Sequence, residues 1–364
     1  MKIAIIGAGP AGLACARECE RLGVIPDVFE RNSFVGWVWP SVTVWLNLFK
    51  QRFGGEIIED LRNNYKIDIK PLSECKSFTM KSPSKEVTVK GNLGYFIPRG
   101  AIGYESLEQQ LLRDLKKTTV HFNRPADYKE LSKKYDCVVV ANGKDTPAKE
   151  LGVWKQHGVV HIIGGVAIGS FKTDSSVFYL DTEYAGQGYA RITPFSFSQA
   201  IVGLYYIGPM EPDLKKLFTI FIEKEGLEHL EFIYKLLTPL FSTGTVTKFR
   251  VGNILLAGRA AGLTDRLIGT GAIESMISGI MAARAMIRNK DYDSLIKPSQ
   301  EHLENISIFR EEIKKLDNAG YDKLLEVIGT PGIKQAIYNS GVNFTEITGK
   351  ILRLLQQYKN TGTS

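Results

Sequence analysis

Two stretches of this chain combine residue types and spacings that do chemistry. The first is Gly7-Ala8-Gly9-Pro10-Ala11-Gly12. Glycines at these intervals suit a dinucleotide: Gly7 takes a tight turn, Gly9 admits a pyrophosphate to the backbone, and Gly12 lets the next helix close on the preceding strand. The free N–H groups and positive dipole end of that helix then face the phosphates. Pro10 suits its first turn, having no N–H to waste. Glu30, eighteen residues past Gly12, offers a carboxylate to a ribose diol. The second stretch is Gly258-Arg259-Ala260-Ala261-Gly262, followed by Gly269-Thr270-Gly271. It precedes a run of small residues (Ala272, Ser275, Ser278, Gly279, Ala282 and Ala283) and implies close backbone approach to a ligand. A chance glycine turn competes with the first reading, but strand, glycines, helix, strand and acid in order argue against it. That stretch alone does not choose between FAD and NAD. The five histidines are scattered and read as structural or surface residues. The four cysteines lack metal-site spacing and read as buried, reduced thiols. No metal is expected.

The elements that must position these residues follow from periodicity. Lys2–Ile6 is a short apolar β-branched run, the pattern of a buried parallel strand. A helix is expected over 10–22, ended by Gly23, and a second strand over 27–30. The loop 32–48 holds three of the four tryptophans: Trp37, Trp39 and Trp45. A packed satellite core and an apolar wall beside a flat ring or lipid-like substrate are both open there. Residues 56–65 read as a helix, 78–90 as a hairpin turning at 82–85, and 104–115 as a helix with Arg99 just before it. Arg99 is either a surface residue or one that reaches a cofactor. Val120–Asn123 and Asp136–Ala141 read as strands, the second ending in the tight turn Asn142-Gly143. Residues 159–208 read as four strands, 211–240 as helical, and 254–257 as a strand before a helix over 272–287. Gly164-Gly165 with Gly169 precedes a strand and is set aside as a nucleotide turn. Everything from Asp291 reads as polar-amphipathic helix, with a loose tail at 360–364.

At 364 residues, two interlocked domains are expected. Hydrophobic residues at 44% and charged residues at 23% describe an ordinary globular protein. The net charge of +7 is spread along the chain, with no basic block of the kind that marks a nucleic-acid arm. A solvated basic surface is the favoured reading, and attraction to anionic lipid or a phosphorylated substrate is the lesser one. The chain begins directly with a strand and no apolar run reaches membrane-span length, so a cytoplasmic location is expected.

Four stretches in this order resemble one family: Gly7–Gly12 with Glu30-Arg31, Arg99 before its helix, Gly188-Tyr189-Ala190-Arg191-Ile192-Thr193-Pro194, and Gly258–Gly271. Together they are similar to the FAD-dependent geranylgeranyl reductases, within the flavoproteins of the p-hydroxybenzoate hydroxylase fold. The likeness runs from Met1 to about Arg288. It implies an α/β fold: a Rossmann-like FAD-binding domain with a parallel sheet, interleaved with a largely antiparallel substrate-domain sheet, plus C-terminal helices. The expected divisions are 1–50, 95–150 and 245–290 for FAD, 51–94 and 151–244 for substrate, and 291–364 as a helical region. The resemblance implies an extended FAD held by Gly7, Gly9, Pro10, Ala11, Gly12, Glu30 and Arg31 at its adenine end. Arg99, Asn142, Gly258, Arg259, Gly269, Thr270 and Gly271 complete the implied contacts.

It also implies reduction of an isoprenoid double bond in a small or lipid-like substrate. NAD(P)H or a ferredoxin-like protein would serve as outside electron donor, and peripheral membrane contact stays open. Tyr189, Arg191, Trp37 and Trp39 are the candidate pocket residues. The departures bear on chemistry. Arg259 replaces the family's aspartate, Arg266 its proline, and Asn142 the acid of its Asp-Gly turn. Arg191 and Thr193 replace the bulky apolar residues of its Tyr-x-Trp-x-Phe-Pro signature, and the family's cysteine-glycine-glycine loop is absent. A flavin monooxygenase of a compact aromatic or polar substrate, a flavin-binding protein without catalysis, and an NAD-binding module, against which Gly258–Gly271 argues, are the alternatives. Arg191 is expected to face solvent or a carboxylate or phosphate of the substrate.

Overall fold

The strand β1 (Ile3–Ile6) is buried at every position, as an apolar run entering a glycine turn should be. α1 (Pro10–Arg21) begins three residues later and ends at Leu22. β2 (Asp27–Phe29) lies parallel to β1. A computed structural model describes residues 1–47, 56–101, 103, 105–208, 211–338 and 344–361. Leu48, Tyr104 and the end of the tail, 362–364, lie outside the described residues.

The tryptophan-rich stretch is not all loop. Ser41–Leu46 forms β3, buried on both faces across its middle. After α2 (Ile57–Tyr65) come the hairpin strands β4 (Ser73–Lys81) and β5 (Glu86–Arg99). β3 pairs antiparallel with β5, from Ser41 opposite Arg99 to Leu46 opposite Gly94. Residues 41–46 and 95–99, grouped by the sequence with the nucleotide unit, are thus strands of the second sheet. α3 (Leu107–Asp114) follows, capped by the Ser106 hydroxyl on the Gln109 N–H. β6 (Val120–His121), α4 (Tyr128–Leu131), β7 (Cys137–Val140) and α5 (Thr146–Glu150) complete this half.

β8 (Trp154–Ile168), β9 (Ser175–Tyr179), α6 (Thr182–Ala185), β10 (Tyr189–Pro194) and β11 (Gln199–Tyr206) come next. The helix expected over 211–240 is only α7 (Leu214–Lys224). Gly226, in the left-handed region, ends the turn behind it. Glu231–Leu237 is β12, rich in aromatic and branched side chains, and it pairs along β8. β13 (Phe241–Val246), β14 (Arg250–Val251) and β15 (Ile254–Leu256) lead to a 3₁₀ turn at Gly258–Ala261. Then come α8 (Ala272–Ile287), α9 (Tyr292–Ile313), α10 (Asn318–Gly329), α11 (Pro331–Tyr338) and α12 (Phe344–Thr361).

The first sheet has the order β14-β15-β7-β1-β2-β6, parallel except at β14. The second runs β12-β8-β11-β10-β9-β4-β5-β3, antiparallel except where β4 meets β9, with β13 also on β8. One core packs α1, α3 and α8 on the first sheet. A second packs the C-terminal helices on β3, β4 and β5, and a third packs α7 on β8, β10 and β11. All four cysteines are buried and unbridged. No helix among the described residues is long and apolar enough to cross a membrane.

α1 and α8 touch along small residues and share a buried acid. Glu18 accepts from Arg284 Nε at 2.6 Å and from Arg21 Nε at 2.7 Å. Burial pushes its carboxyl up, but the two guanidiniums outweigh that and hold it below the usual range. A depressed folded pKa gives stability that is present above the unfolded value, about 4.3, and is lost as pH falls through the folded one. Glu18→Gln is therefore expected to be less stable at neutral pH and to lose less stability on acidification, read from urea midpoints across pH 3–6.

Candidate functional site

The turn after β1 is shaped by contacts only glycine permits. Gly7 has φ +100°, and a Cβ there would lie 2.6 Å from the Ala141 carbonyl oxygen. A Cβ on Gly12 would lie 1.9 Å from the Gly7 oxygen. A Cβ on Gly9 would meet nothing within 4 Å. Gly7 and Gly12 thus serve the fold, while Gly9 borders open space. Pro10 has no N–H, and the first-turn N–H groups of Ala11 and Gly12 have no intrahelical acceptor. Glu30 is buried beside them, its Oε2 accepting from Ala8 N and its Oε1 from Asn32 N, each at 2.9 Å. Each oxygen keeps acceptor capacity. Arg31 is exposed next to it. Asn142 is exposed too; its Oδ1 accepts from Lys144 N, and its Cα abuts Gly7.

The second glycine turn lies against the first. A Cβ on Gly258 would meet Ala11 Cβ at 3.0 Å, and Gly258 N donates to Ser278 Oγ at 2.8 Å. The Arg259 guanidinium carbon sits 3.8 Å from the centre of the Phe241 ring. Arg99 is tied to Glu108, Nε donating to Oε1 at 2.8 Å, while Gly100 N donates to Oε2. Arg99 and Glu108 are held as a partly buried pair on the α3 side of the site.

Before α8, Asp265 organises the loop that carries Gly269, Thr270 and Gly271. Its buried carboxylate accepts from Leu267 N, Ile268 N, Thr270 N and Thr270 Oγ1 at 2.6–2.9 Å. Burial raises its carboxyl against these bonds. Asp265 and Glu108 escape a reading of the sequence. For Asp265 the signal is there, an aspartate opening a turn with a threonine five residues on. A cavity of about 30 Å³ opens here, lined by Trp45, Asp265, Thr270, Gly271, Glu274 and His302. Trp45 Nε1 is buried without a hydrogen-bond partner among the described residues. Open space at Gly9, free N–H groups on α1, spare capacity on Glu30 and this orphaned donor fit a dinucleotide carrying a polar ring.

Tyr189 reaches the same loop from β10, its hydroxyl donating to the Ile268 carbonyl oxygen at 2.6 Å. Rings in contact cross four neighbouring strands: Phe78 is tilted on Phe178 at 4.5 Å, while Phe178–Tyr189 at 5.2 Å and Tyr189–Tyr205 at 4.7 Å are stacked. Arg191, two residues along, is buried and does not face solvent as expected. Trp37 and Trp39 are surface residues, 43% and 36% exposed, and Trp39 rests on Tyr234. Of that segment's tryptophans it is Trp45 that lines the cavity.

The parallel sheet, its paired glycine turns and the second sheet facing them make up the flavoprotein fold. The signature of an NAD(P)-binding Rossmann-like domain matches residues 5–67. The chain is 23% identical to digeranylgeranylglycerophospholipid reductase 1 of Methanosphaera stadtmanae, across 91% of this chain and 89% of that protein. A geranylgeranyl bacteriochlorophyll reductase-like protein of Thermoplasma acidophilum superposes with a TM-score of 0.72 at 16% identity, covering 98% of this chain and 96% of that one. The flavin-dependent brominase Bmp2 superposes at 0.65 and 13%, covering 99% and 100%. The resemblance seen in the motifs therefore extends over nearly the whole chain.

Proposed function

We propose that this protein is an FAD-dependent reductase of carbon–carbon double bonds in an isoprenoid or lipid-like substrate. The observation that carries the reading is the meeting of both glycine turns at the carboxyl ends of β1 and β15 in the parallel sheet, with Tyr189 of the second sheet bonded to the loop that leads to α8. The near full-length likeness to a digeranylgeranylglycerophospholipid reductase supports it. Gly7–Gly12 would bind the pyrophosphate and Glu30 the adenosine ribose. Asp265 would hold the Gly269–Gly271 turn at the ring end, with Arg99 and Asn142 nearby. When bound, the flavin supplies the hydride chemistry. The chain's own residues bind, orient and exclude water. NAD(P)H or a ferredoxin-like protein would supply electrons.

Glu30→Ala is expected to weaken FAD binding by roughly 1.5–3 kcal/mol, the range for hydrogen bonds to a charged acceptor, measured by flavin titration of the apoprotein. Parental affinity would place the ribose elsewhere.

A second reading, oxygenation of a compact aromatic or polar substrate, is favoured by Arg191 and Thr193 in place of bulky apolar residues. The readings separate when pre-reduced protein is mixed with a geranylgeranyl substrate without oxygen. Saturated product supports the reductase. Product only with oxygen, from an aromatic acid, replaces it. No product in either arm leaves a flavin-binding protein without turnover.

A further inference from the structure

Arg191 is a buried cation with no carboxylate partner among the described residues. It is 7% exposed. A guanidinium carries five N–H donors, yet its partners are few. Nη2 donates to the Val42 carbonyl oxygen at a long 3.3 Å, and the Tyr205 side chain accepts from it, with that ring's centre 5.1 Å from the guanidinium carbon. Nε has no partner. Among the described residues no carboxylate lies within ion-pair distance of it. The acid that acts on it, Asp265, spends its oxygens on the 267–270 loop. Arg310 of α9 repeats the pattern near Tyr189. It is 7% exposed, donates to the Gln187 carbonyl oxygen, and has no carboxylate partner among the described residues.

Such a charge is expensive. Leaving a buried ion uncompensated costs several kcal/mol, and an apolar replacement of similar volume is often neutral or stabilising. Arginine's planar fork matches the oxygens of a carboxylate or phosphate. Through Tyr205 the guanidinium also borders the row of rings Phe78, Phe178, Tyr189 and Tyr205, so cation and apolar surface adjoin on one sheet face.

We propose that Arg191 is the oxyanion-binding residue of the substrate site, taking the phosphate or carboxylate at the polar end of an otherwise apolar substrate. The inference rests on this face being the substrate side of the flavin site, and deepens that reading by naming the group recognised.

The test is calorimetric titration of the flavin-loaded full chain, parent, Arg191→Met and Arg191→Lys, with geranylgeranyl phosphate, geranylgeranoic acid, geranylgeraniol and inorganic phosphate. In the parent at least one anionic prenyl compound is expected to bind tenfold or more tightly than the alcohol. That ratio should fall to near one in Arg191→Met and recover in part in Arg191→Lys. The stronger of the two anionic prenyl probes identifies the oxyanion. Inorganic phosphate binding as tightly as the prenyl phosphate would point to a free-phosphate source. Ligand-free Arg191→Met should melt at or above the parent temperature, since it removes an unpaired charge. Three results overturn the proposal: no binding of either anionic prenyl probe, a charge preference that survives in Arg191→Met, or an Arg191→Met protein that melts lower or fails to fold. Binding is read without turnover. Arg191-dependent binding with no double-bond reduction therefore sinks the reductase reading alone, and reduction without charge preference sinks this one alone.

Discussion

Gly9→Val is expected to give a folded protein that has lost its flavin. Gly9 has φ −86° and ψ −174°, extended backbone that valine adopts freely. Its new Cβ would meet no protein atom within 4 Å. The fold therefore loses little beyond a poorer helix N-cap, about 1 kcal/mol. The ligand loses more, because the side chain fills the space before the α1 N–H groups. Two charge-assisted bonds at roughly 1.5–3 kcal/mol each amount to a hundredfold or greater loss of affinity. Flavin content after purification and the circular dichroism of the variant decide the matter. Parental flavin in a folded Gly9→Val protein would move the pyrophosphate away from α1.

Gly279→Ala is expected to be destabilising, against the ordinary rule. In a helix interior alanine is favoured over glycine by about 1 kcal/mol. Here the added Cβ would lie 2.0 Å from the Ala11 carbonyl oxygen and 3.1 Å from Cys15 N, both backbone atoms of α1. A main chain packed on a buried sheet cannot step aside as a long side chain can. α1 and α8 must separate, and with them the two glycine turns. A cost of roughly 3 kcal/mol or more is expected, at the upper end for overpacking. It is measured as the denaturant midpoint of the flavin-free protein, so that stability and cofactor loss are read separately. Unchanged or raised stability would show that the helices are not held this closely. Gly9 and Gly279 thus predict different phenotypes: the larger added side chain spares the fold and loses the ligand, while the single methyl at Gly279 destabilises the fold.

Much of the nucleotide-facing half was legible in the sequence because its determinants are local. β1, the glycine turn, α1, β2 and Glu30 follow one another within 30 residues, and each junction has its own turn or cap signal. The second glycine turn stands just as locally between β15 and α8. Tertiary structure decided what depended on distant partners. Ser41–Leu46 became a strand because β5 lies beside it, and Glu231–Leu237 because β8 offered an edge. Neither segment states its partner, and short apolar runs fit helix and strand alike. The fates of the arginines were decided the same way. Arg99 found Glu108, Arg259 found the Phe241 ring, and Arg191 was buried with no carboxylate among the described residues. A residue's type in sequence fixes its charge, but whether that charge is paired, stacked or left waiting depends on which surfaces the fold brings against it.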